Sequence, residues 1–139
     1  MTEISVTHGF GPIKFGSTPR EVKLAWGAET LYEEWMGGNL ENFLFFEGLL
    51  VGFRGEISDQ PTENSFVCMF QVKTVHPLSL WGQQITGFSK AEIEALLMSK
   101  NIKYRYLSKD IIRCADQELQ FSFNNIGVLD EVYFARENS

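Results

Sequence analysis

The chain has 139 residues, 44% of them hydrophobic and 22% charged, a composition that suits one folded domain and excludes a disordered segment. Its net charge of −6 repels nucleic-acid backbones and anionic membrane surfaces, so neither is expected as a partner. Twelve Phe, against four Tyr and three Trp, predict a sheet-rich core, because aromatic side chains favour strands and bury a large area each.

From the N-terminus, "MTEISVTHGF" has neither a basic run nor an apolar run of a signal peptide, so a cytoplasmic protein is expected. "FGPIKFGSTPREV" (10–22) is then repeated as "WGQQITGFSKAEI" (81–93) at an offset of 71 residues, with Gly11, Gly16 and Glu21 matching Gly82, Gly87 and Glu92. Both copies carry the capping box Ser/Thr-x-x-Glu, Thr18 with Glu21 and Ser89 with Glu92, and Pro19 sits at the first helical position. The apolar sets Val22, Ala25, Trp26 and Ile93, Leu96, Leu97 each line one narrow helix face. Gly27 is expected to end the first helix and Asn101 the second.

After each helix the apolar period falls to two. Strands are predicted at 30–35, 41–48 and 49–57 in the first copy, and at 102–107, 118–125 and 128–135 in the second. Phe43 and Phe45 alternate in the first copy, Phe121 and Phe123 in the second. Glu47-Gly48 and Asn124–Gly127 read as hairpin turns. "SFVCMFQVKTV" (65–75) predicts a further strand with no evident counterpart, and "HPLSLWG" (76–82) reads as the connector between copies. "SKDIIRCAD" (108–116) lengthens the second copy, and part of it is expected to extend the strands. The expected fold is α+β. It is a single domain of two tandem repeats, about 10–75 and 81–135, each a short helix plus an antiparallel meander of three or four strands, sharing one sheet.

Little in the chain marks catalysis. His8 lies near an N-terminus expected to fray, and His76 precedes a proline. Cys68 and His76 are eight residues apart, about 25 Å along an extended strand. The cysteines, Cys68 and Cys114, have no metal-ligand spacing, and the paired acids at 33–34 and 130–131 point to opposite faces of their strands. No phosphate-binding loop is present, and the glycines of the repeat are read as turn positions. No catalytic residue, metal or cofactor is expected.

Charge is distributed unevenly. Between Glu29 and Glu63 lie eight acidic residues and one base, Arg54, whereas 100–113 is basic. "YEEWMGGN" (32–39) sets two glutamates beside a tryptophan and a methionine, a mixture of steering charge and adaptable apolar anchors. The candidate partner-binding set is Tyr32, Glu33, Glu34, Trp35, Met36, Glu41, Asp59 and Glu63, continued by Tyr104 and Tyr106 in the second copy.

The duplicated unit, with "IKFGSTPREVKLAWG" (13–27) as its best-matching segment, resembles the β-lactamase-inhibitor-protein-like architecture and the small outer-membrane-assembly lipoproteins related to it. That resemblance implies a protein-binding sheet. In size and acidity the chain is also similar to immunity proteins of polymorphic toxin systems, which implies a non-catalytic protein that occludes a basic toxin or enzyme domain. Two other readings stand beside it: a small-ligand-binding protein or enzyme with an apolar pocket between the repeats, and a subunit that homodimerises through a sheet edge.

Overall fold

A computed structural model describes residues 2–26, 43–55, 64–75 and 77–136, the side chains of Phe43 and Phe45 excepted. In both copies the glycine-and-cap pattern works as a helix start. Helix α1 spans Pro19–Trp26 and α2 spans Lys90–Ser99. The Thr18 hydroxyl accepts from the Glu21 amide at 3.3 Å while the Glu21 carboxylate accepts from the Thr18 amide at 3.0 Å. Ser89 and Glu92 repeat this at 3.2 and 3.0 Å. Helix α2 ends at Lys100, followed by Asn101 at a φ of 56°. The two helices bury unequal faces. Ile93, Leu96 and Leu97 are buried in α2, whereas α1 buries Pro19 and Val22, Trp26 is half-buried against Phe10, and Ala25 is exposed.

The strands, in chain order, are β1 (Thr2–Ser5), β2 (Gly9–Phe10), β3 (Ile13–Lys14), β4 (Phe43–Phe46), β5 (Leu49–Gly55), β6 (Ser65–Lys73), β7 (Leu78–Leu80), β8 (Gln83–Gln84), β9 (Tyr104–Ser108), β10 (Ile111–Cys114), β11 (Leu119–Phe123) and β12 (Leu129–Ala135). Seven of them form one antiparallel sheet in the order β4-β5-β6-β12-β11-β10-β9. The last strands of the two repeats meet at its centre, so the repeats share a sheet, as expected of an α+β fold in which neither half could cover its own apolar face.

This order corrects the matching of strands between copies. The segment 65–75 does have a counterpart: β6 and β12 occupy equivalent central positions. Each also holds the start of its own helix, with Gly16 and Ser17 bonded to Val67, and Phe88 bonded to Leu129. Within "SKDIIRCAD", Ile111–Cys114 is a complete strand, β10, and this displaces the correspondence by one strand. The period-2 pattern of a short strand does not reveal its rank in a sheet, so sequence alignment paired the wrong members.

A second sheet was not foreseen. It has the order β3-β2-β1-β7-β8, and β1 runs parallel to β7. Residues 76–82 are therefore more than a connector, since Leu78, Ser79 and Leu80 are buried. The N-terminal residues expected to fray form the central strand β1, although His8 itself is exposed. The repeat's glycines shape its hairpins. Gly11 (φ 56°) takes the first central position of the β2–β3 turn, whereas in the β7–β8 turn Trp81 (φ 53°) holds that position and Gly82 (φ 76°) the next. The identity at offset 71 thus aligns successive turn positions, not equivalent ones.

The core lies between the inner face of the large sheet and a layer made of both helices and the small sheet. Across the strands one inner row reads Phe46, Leu49, Val72, Val132, Phe121 and Ile112, and all six are buried. Phe70 and Phe134 stack at 5.1 Å across the β6–β12 junction, and Phe15 meets both edge-on at 5.4 and 6.1 Å. The abundant phenylalanines thus fill the seam between the repeats.

Candidate functional site: the open face and one end of the large sheet

With its inner face covered, the large sheet presents its other face outward. By alternation and register, one row there runs Leu50, Gln71, Tyr133, Gln120, Arg113 and Arg105 across six strands. Lys73, Glu131 and Met69 flank it, and most of these residues are half-buried. The Gln71 amide donates to Glu131 Oε1 at 2.6 Å. Burial pushes the Glu131 carboxyl above its usual value, against the lowering effects of the Gln71 bond and of Lys73. Arg113 pairs with Glu118 at 2.8 Å and lies 6.0 Å from the Tyr133 ring centre. The surface mixes apolar, amide and charged groups, the kind of composition that polar protein interfaces have.

The strand directions bring several loops to one end of this sheet. Phe43, where β4 begins, opposes Gly52; β5 ends at Gly55 and β6 begins at Ser65. The attachment points of segments 27–42 and 56–63 at β4, β5 and β6 therefore lie at the same end. Those two segments carry Glu29, Glu33, Glu34, Glu41, Glu56, Asp59 and Glu63 and no Lys or Arg. In the second repeat the same end holds Arg105, Arg113, the 115–118 loop and Ala135, which line a cleft of about 650 Å³.

Of the ten expected partner-binding residues, Tyr32, Glu33, Glu34, Trp35, Met36, Glu41, Asp59 and Glu63 lie outside the described residues, as does His76. Tyr104 and Tyr106 are brought together, but on the helix side of β9. Their hydroxyls donate to the two oxygens of Glu94 on α2, at 2.6 and 2.7 Å. These two bonds hold the Glu94 carboxyl below its ordinary range. The Glu94 bond raises Tyr104, while burial, followed by that bond, pushes Tyr106 up to about 12. They act as a clamp between α2 and an edge strand. Sequence reasoning passed over Glu94, although its place one residue after the apolar Ile93 of a capped helix put it beside the sheet.

Neither cysteine is in a disulfide, and burial raises both thiols, Cys114 to about 11, which makes poor nucleophiles of them. Among the described residues no group of three His, Cys, Asp or Glu could hold a metal ion. Also among the described residues, no helix is long and apolar enough to cross a membrane. Comparison of the chain with protein-family models, with curated proteins and with solved structures finds no match.

Proposed function

We propose that this chain is a non-catalytic protein-binding protein of the cytoplasm, an immunity protein that neutralises a cognate toxin by covering a basic active-site cleft. The observation that carries the reading is the shared end of the sheet: two segments with seven acidic and no basic residues are attached there side by side. A concentration of one charge on neighbouring segments draws an oppositely charged partner and raises its association rate. The half-buried open face beside it, with Leu50, Met69 and Tyr133, offers apolar and aromatic anchors that would lengthen residence.

The partner to test is a toxin domain encoded beside this chain's gene. Co-expression of the two should restore growth of cells that the toxin domain kills, and the purified pair should associate faster at low salt. The double variant E33K/E34K should slow association by roughly tenfold and weaken its salt dependence, while leaving dissociation nearly unchanged. Failure of the pair to form a complex refutes the immunity reading. An unchanged association rate in the double variant refutes the acidic end as the docking surface.

A further inference from the structure

The edge of the large sheet in the second repeat has its own chemistry, independent of the immunity reading. β9 is the last strand of that sheet, and among the described residues no strand lies beyond it. The Ala115 amide donates to the Lys103 carbonyl at 2.8 Å, so Lys103 and, two residues on, Arg105 turn their backbone groups towards β10. By the same alternation the amides and carbonyls of Tyr104 and Tyr106 point away from the sheet. Neither residue makes a backbone bond outside the sheet among the described residues. The edge stays regular only this far, because Leu107 is an extra residue without a partner on β10. From the helix side the two tyrosine hydroxyls on Glu94 hold the strand in place. A fixed row of unmet donors and acceptors is a template for one more strand.

The side chains select the strand that fits. Lys103, Arg105 and Lys109 are exposed and make no ion pair with another described residue, in a chain of net charge −6. Tyr106 and Leu107, 41% and 49% exposed, add apolar surface beside them. The cations exclude a second copy as the occupant. Antiparallel self-pairing centred on Tyr104, Arg105 or Tyr106 sets Lys103 against Arg105, Arg105 against itself, or Lys103 against Lys109, and like charges directly opposite repel. We infer that β9 takes up an acidic, extended segment of another protein as an antiparallel strand. Alternate carboxylates of that segment lie opposite Lys103 and Arg105, and its backbone bonds to Tyr104 and Tyr106.

The test is titration of the intact chain into an N-terminally labelled, C-terminally amidated peptide, TVEVEVT, followed by fluorescence anisotropy. The glutamates of this peptide share one face, and its valines carry the amides that meet β9. Binding should be saturable in the high-micromolar to millimolar range. The lysine peptide TVKVKVT should bind roughly tenfold more weakly, and TVEVEVT methylated at its valine nitrogens should not bind. R105E, an exposed change whose fold is checked by circular dichroism, should weaken TVEVEVT roughly tenfold and strengthen TVKVKVT. Absence of saturable binding overturns the inference, as does equal affinity for the two peptides, undiminished binding of the methylated one, or an unchanged preference in R105E. Self-association of the chain that the peptide displaces also overturns it, since a second copy would then be the occupant.

Discussion

Phe134 sits in the second repeat, yet its ring stacks on Phe70 and meets Phe15 edge-on, both from the first. Replacing it by alanine therefore removes the centre of the seam and not the interior of one half. The side chain is fully buried, and truncation of such a phenylalanine costs about 4 kcal/mol from lost burial and the cavity left behind. A chain of this length has a total stability on the order of 10 kcal/mol, so the loss is large but survivable. With a urea slope of about 2 kcal/mol/M the midpoint should fall by about 2 M with the slope unchanged. Far-UV circular dichroism and tryptophan fluorescence should report one coincident transition in F134A and in the parent chain. A loss below about 1.5 kcal/mol would mean that the seam is loosely packed. Two separate transitions would mean that the repeats fold independently, and either result refutes the shared core.

Two further outcomes follow from local structure. Ser89→Ala removes the acceptor of the Glu92 amide and should lower stability by about 1 kcal/mol in urea denaturation, with Ser89→Gly costing less. The Glu94 clamp should shape stability at both extremes of pH. The folded-state value of Glu94 is lowered, so its contribution is present above the ordinary 4.5 and lost as pH falls through the lowered value. Tyr106 is raised from 10.0 to about 12, so its contribution is present below pH 10 and lost as pH rises towards 12. E94Q should flatten both limbs of the stability profile, and ultraviolet titration should show Tyr106 ionising earlier, though still late because burial remains.

The sequence by itself determined the local starts and stops. Capping boxes, turn glycines and the change of period from 3.6 to 2 depend on residues within a few positions of one another, and the helices of both repeats and six of the seven strands of the large sheet stand where those signals put them. It also pointed to the halves combining, because one short helix on three or four strands makes only a marginal core. Only the tertiary structure decided the neighbours. The pairing of β6 with β12 and the parallel union of β1 with β7 arise from backbone hydrogen bonds between residues tens of positions apart, and such bonds leave no trace in composition or period. The candidate site divides in the same way. Acidic segments and basic strands were legible as charge, but strand direction brought their attachment points to one end. Register likewise set Arg105 beside Arg113 on the open face, while Tyr104 and Tyr106, one residue away, turned inward to Glu94.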